Sequence, residues 1–312
     1  MKIAKTVVSA LMAVSAAALP AAAQDTEKAK TLDELATMFD VSSCKDCHTK
    51  IHEEWAKSYH ATSLVGSPRT LATIATTVQD GMMKEWGKSG VKNVKDITVE
   101  HMMSCAKCHL PQLKYATDEV AQEIAQAALD FLAAGKAGDD TKKQAAIAKV
   151  SQVGINCIVC HNLKAITHKW VDGEVEPNVI YGSTDGPHED KKFTSMKKSP
   201  IMTESIICGQ CHGLGPNFDL PEPTQCATLY GSYLHSYIPS GGSQTCQECH
   251  MHQDNVGHFM PGYRSASSAS RAVEMTVDAH GYYFLPKAGD SIPTAVVKVD
   301  ITGKAGHRIP DG

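Results

Sequence analysis

Five copies of one pentad, Cys-x-x-Cys-His, constrain this chain more than any other feature. They are Cys44-Lys45-Asp46-Cys47-His48, Cys105-Ala106-Lys107-Cys108-His109, Cys157-Ile158-Val159-Cys160-His161, Cys208-Gly209-Gln210-Cys211-His212 and Cys246-Gln247-Glu248-Cys249-His250. Together they use ten of the eleven cysteines and leave only Cys226. Chance supplies roughly 0.02 such pentads at these residue frequencies, and the pattern is the attachment signature of c-type haem. The spacing has a chemical cause. Two thiols three positions apart reach the two vinyl-derived carbons of one haem, and the histidine that follows supplies the proximal iron ligand. Redox dithiols, zinc knuckles and structural disulfides are the competing readings. A redox dithiol needs no histidine after it, and zinc sites do not repeat one pentad five times.

The proximal set His48, His109, His161, His212 and His250 leaves ten further histidines among the fifteen. A low-spin haem takes a sixth ligand, His or Met. His60 follows Trp55-Ala56-Lys57-Ser58-Tyr59, and His101 lies four residues before Cys105. His258 sits in Gly257-His258-Phe259 and His307 in Gly306-His307-Arg308-Ile309-Pro310. These four are the expected distal ligands. His188, in Gly186-Pro187-His188, and His168 compete for the remaining iron, with His188 preferred. His52, His235, His252 and His280 read as supporting or surface residues. Met102, Met103, Met251 and Met260 read as packing, and Cys226 as a buried free thiol.

An exported chain is expected. Lys2 and Lys5 precede an apolar run from Val7 to Leu19, and Ala21-Ala22-Ala23 resembles a cleavage site, so residues 1–23 read as a secretory signal. That run is short for a membrane span, and no later stretch approaches one. A periplasmic or extracellular protein without a stable membrane span follows. Of 312 residues, 42 % are hydrophobic and 21 % charged, which excludes a disordered chain. The net charge of −4 gives no case for nucleic-acid binding. Aromatic residues are only 6 %, so haem is expected to supply much of the core.

The pentads begin 61, 52, 51 and 38 residues apart, too irregular for a solenoid. Helices are expected at Thr31–Phe39, Asp118–Ala134 and Thr141–Val153, the last two as a hairpin broken by Gly135 and Gly138. Residues 171–199, 213–223 and 239–242 read as loops. Beyond them the period changes. Val273, Met275, Val277 and Ala279 alternate with polar residues, as do Val297, Val299 and Ile301, so both stretches read as strands. The fold class is mainly α with extensive loops. Residues 24–265 form a haem-packed pentahaem domain and 266–312 a small β element. The chain stops after a turn signal without a closing strand, and a longer native protein is the expectation.

These residues resemble the multihaem cytochrome c superfamily, which includes the tetrahaem cytochrome of nitrifiers, pentahaem nitrite reductases and hydroxylamine oxidoreductase. The resemblance runs from Cys44 to about Gly312. It rests on the pentads, on Trp55-x-x-Ser58-x-His60-Ala61, on Gly186-Pro187 upstream of Cys208, on His250-Met251 and on Gly306-His307-Arg308-Ile309-Pro310. It implies closely packed haems in stacked pairs and little regular structure. Some electron-carrying relatives polymerise into filaments, so the resemblance also admits self-association. Nitrite reductases of this group usually carry one pentad ending in Lys, whereas all five here end in His, as in hydroxylamine oxidoreductases.

The expected function is electron transfer between redox protein donors and acceptors through five covalently attached haem c groups. The alternative is an oxidoreductase of small nitrogen or sulfur compounds at one haem with an open distal site, with Tyr181, His235 and Tyr237 as acid–base candidates.

Overall fold

The computed structural model describes residues 27–213, 228–262 and 264–309. The expected signal at 1–23, Cys226 and most of the expected loop at 213–223 lie outside these residues. About half of the protein is helical, with a two-stranded β element near the C-terminus.

The N-terminal part is built by ordinary helix chemistry. Helix α1 (Leu32–Met38) starts where Thr31 accepts the Glu34 N–H, and it buries Leu32 and Leu35. Helix α2 (Thr49–Ala56) follows the first pentad, and α3 (Pro68–Thr76) runs on into a π-helical stretch at Thr77–Glu85. Helix α4 (Val99–His109) carries the second pentad at its end. Helix α5 (Asp118–Ala137) buries Val120, Ile124, Ala128 and Phe131 on one face, as the 3.6-residue period requires. It passes through Gly135 and stops at Gly138, whose φ of +67° makes the left-handed cap. The break therefore falls at one of the two expected glycines. Helix α6 (Asp140–Val150) restarts at once, with Asp139 accepting the Lys142 N–H.

Residues 171–199, expected as irregular loop, contain a small sheet. Strands β1 (Val179–Gly182), β2 (Gly186–Pro187) and β3 (Ser195–Lys198) pair in the order β1-β3-β2, with β1 and β3 parallel. Each strand is too short to display a period, and a parallel pair depends on partners distant in sequence. Helix α7 (Ile206–His212) holds the fourth pentad, and the fifth lies in a π turn at Glu248–His252. After α8 (Ala266–Ala272), β4 (Val273–Phe284) and β5 (Ile292–Gly303) form an antiparallel ribbon with Val277 opposite Val299. The two expected strands are present and longer than the alternation alone implied. The ribbon is exposed on both faces.

The core is distributed unequally. Leu35, Leu71, Val78, Ile97, Leu113, Val120 and Val150 belong to one apolar cluster. A smaller one joins Ala165, Val179 and Tyr181. Beyond Phe193 no described Ala, Val, Leu, Ile, Met, Phe, Tyr or Trp side chain is buried. Among the described residues, the stretch with the fourth and fifth pentads thus shows no apolar core of its own, which a compact domain of that length ordinarily needs.

Candidate haem ligand sites

The pentads sit on helical or π-helical turns. On such a turn, side chains three residues apart share a face, which turns both thiols of a pentad to one side. The ten pentad cysteines are all free thiols. Sulfurs of different pentads meet. Cys44 hydrogen-bonds with Cys157, Cys108 with Cys211, and Cys208 with Cys246. These hydrogen bonds lower the thiol pKa of Cys44 and Cys211 to about 7 and of Cys246 to about 6. Burial pushes Cys160 up to about 12, with the nearby Cys211 adding to the rise.

Four of the five pentad histidines face a histidine from outside the pentads. His48 faces His188 with ring centroids 6.4 Å apart, and His212 faces His60 at 6.0 Å. His161 faces His258 at 6.3 Å, and His250 faces His307 at 6.2 Å. Two imidazoles on opposite sides of one metal, each about 2.0 Å from it, would have centroids roughly 6.3 Å apart. The ring planes are nearly parallel in three pairs and crossed at 88° in His60–His212. Rotation about a shared ligand axis leaves that separation unchanged. Among the described residues no group of three or more His, Cys, Asp or Glu side chains forms a metal cage. Two histidines suit a group that brings most of its own ligands, as a porphyrin does.

Hydrogen bonds set the ring nitrogens. The Nδ1 of His161 donates to Tyr181 O at 2.8 Å and that of His188 to Phe193 O at 2.8 Å. His250 donates to Pro261 O and His307 to Arg308 O, both at 2.9 Å. His109 donates to Ser63 O at 3.3 Å. A carbonyl only accepts, so Nδ1 carries the proton and Nε2 keeps a free lone pair, the tautomer a metal needs. Burial holds His109, His161, His212 and His258 below the usual imidazole pKa and takes His60 to about 4. All five are neutral at physiological pH.

His101 is placed differently from the expectation. Its Nδ1 accepts the Thr98 N–H at 3.1 Å, and its Nε2 lies 3.1 Å from Ser89 O. Nε2 is therefore the protonated nitrogen. The residue closes a capping box at the start of α4 instead of facing another ring. His168 packs edge-on against Trp170 and faces no pentad histidine. Consequently, among the described residues, no second histidine ring stands opposite His109. Of the acid–base candidates, Tyr181 is buried and its hydroxyl accepts the Glu176 N–H. Tyr237 stacks on Tyr233.

Amide side chains tie the sites together, and the sequence reading missed them. Asn162 donates to Glu176 O and Val179 O, which joins the third pentad to β1. Gln210, inside the fourth pentad, donates to Lys164 O at 2.7 Å. Gln247, inside the fifth, donates to Glu204 O at 2.8 Å. The x positions of a pentad carry no signal in the motif, and only burial marks Gln247 as structural.

No family model matches this chain, and no curated protein or solved structure matches it.

Proposed function

We propose that this chain is an exported pentahaem c-type cytochrome that carries electrons between redox partners. The observation that carries the reading is the set of four histidine pairs, each joining one pentad histidine to one from elsewhere at 6.0–6.4 Å. Consistent with it, no Ala, Val, Leu, Ile, Met, Phe, Tyr or Trp side chain described beyond Phe193 is buried, and bound apolar groups would supply the core that a compact stretch of that length ordinarily needs. The pentad cysteines would hold the haems, and His48/His188, His212/His60, His161/His258 and His250/His307 would be the histidine pairs that hold the irons. Bound haem supplies one-electron chemistry at iron, tuned by its ligands and surroundings.

The polypeptide's work is spacing. Hydrogen-bonded sulfurs bring the first site beside the third, the second beside the fourth and the fourth beside the fifth. Cys160 of the third lies in electrostatic reach of Cys211 of the fourth. His212 similarly feels His109, His250 and His307. The sites thus form one contiguous series, first to third to fourth, with the second and fifth both flanking the fourth. Intact mass tests the reading directly. The mature protein should carry five haems, and a colourless product with unmodified thiols would refute it.

A second reading rests on His109. An iron held by His109 would lack a second imidazole among the described residues, and an oxidoreductase of small nitrogen or sulfur compounds becomes chemically feasible there if no methionine takes that place. Electron paramagnetic resonance on the oxidised protein separates the readings. Four low-spin irons plus one high-spin iron that binds nitrite or hydroxylamine favours the enzyme. Five low-spin irons favour the carrier.

A further inference from the structure

Glu54 lies on α2, six residues past His48, and its side chain is only 18 % exposed. Its Oε2 accepts the backbone N–H of His258 at 3.0 Å, across 204 residues of sequence. The segment it holds is unusual. Asp254, Asn255 and Met260 are the positive-φ residues other than glycine among the described residues, and Gly257 has a φ of +55°. A Cβ on Gly257 would come within 2.0 Å of Glu54 Oε2, so only glycine lets the carboxylate approach. Left-handed backbone of this kind persists where surrounding contacts enforce it. The enforced conformation turns the His258 ring toward His161.

Glu54 is itself well anchored. Trp55 beside it donates from Nε1 to Ile155 O at 2.8 Å, and the Ile155 N–H donates to His60 O at 2.9 Å. Lys50 Nζ lies 3.7 Å from the other carboxylate oxygen. We infer that Glu54 is the positioning residue that seats His258 opposite His161. The inference rests on the haem reading above. It gives residues 48–60 a hand in three sites: His48 in the first, Glu54 behind the third and His60 in the fourth.

The test uses the full haem-loaded protein. Glu54→Ala should leave five haems by intact mass but convert one iron from low-spin to high-spin, and added imidazole should restore it. Gly257→Ala should reproduce that change. Glu54→Gln keeps an acceptor oxygen and should retain the parent spin state. An unchanged Glu54→Ala spectrum with five haems attached would overturn the inference while leaving the haem reading intact. So would a Glu54→Gln protein as damaged as Glu54→Ala, because the hydrogen-bond acceptor would then not be what matters. Absence of haem from the parent protein would instead sink the underlying reading.

Discussion

A histidine can offer a metal only the ring nitrogen that carries no proton, and its other hydrogen bond decides which one that is. This rule separates residues that look alike in sequence. His188 donates from Nδ1 to Phe193 O and faces His48, whereas His168 rests against Trp170. On the proposed haem reading, His188→Ala is therefore expected to make one iron high-spin in the visible spectrum, and His168→Ala to leave all of them unchanged. His101 accepts at Nδ1 and has its Nε2 on Ser89 O, so His101→Ala should keep the spectrum and cost about 1–2 kcal/mol of stability, read from chemical unfolding. Burial also gives a pH dependence with a definite sign. His60 has its pKa lowered from 6.5 to about 4, so in that window the unfolded chain binds a proton that the folded one refuses. The stability associated with neutral His60 is complete above pH 6.5 and drains away as pH falls toward 4, on the order of 3 kcal/mol at most. In the haem-free chain the melting temperature should accordingly be lower at about pH 5 than at about pH 7.5, and an acid-stabilised chain would contradict the burial of a neutral His60.

Among elements, those with a long period were the legible ones. Helix α5 announces itself through Val120, Ile124 and Phe131, and the ribbon through Val273, Met275 and Val277. The glycine that ends α5 was not decidable from sequence, because Gly135 and Gly138 both break helices in principle. Only Gly138 adopts a positive φ, so Gly138→Ala should destabilise by about 1 kcal/mol, while Gly135→Ala should be neutral or stabilising in thermal melts. The β1-β3-β2 sheet stayed hidden because its strands are two to four residues long and its pairing is non-local. The pentads were fully legible as a repeated motif, and the structure places them on helical or π-helical turns with free thiols. Their pairing was only partly legible, since which histidine faces which depends on turns such as 254–260 that leave no periodic trace. The ribbon adds one measurable contrast. A two-stranded sheet exposed on both faces has little to protect its amides. Hydrogen exchange at Val273–Phe284 should be fast beside Asp118–Ala137, whose buried face opens only with the core.

At the scale of the molecule, the two halves stand on different footings. Residues up to Phe193 have an apolar core of their own, and those beyond it have none among the described residues. If the proposed haem reading holds, a chain matured without haem should therefore keep much of its helix between 27 and 165 and lose protease resistance beyond about residue 200, visible as an early cleavage pattern in limited proteolysis.

The histidine pairs also join points far apart along the polypeptide: 48 with 188, 60 with 212, 161 with 258 and 250 with 307. A chain threading outward from its N-terminus delivers the later member of each pair long after the earlier one. Completion would then run in the order His188, His212, His258, His307, so an early-emerging site must wait, one-sided, for its opposite. Birth order along the thread, not position in the finished array, would set the sequence in which the centres become whole.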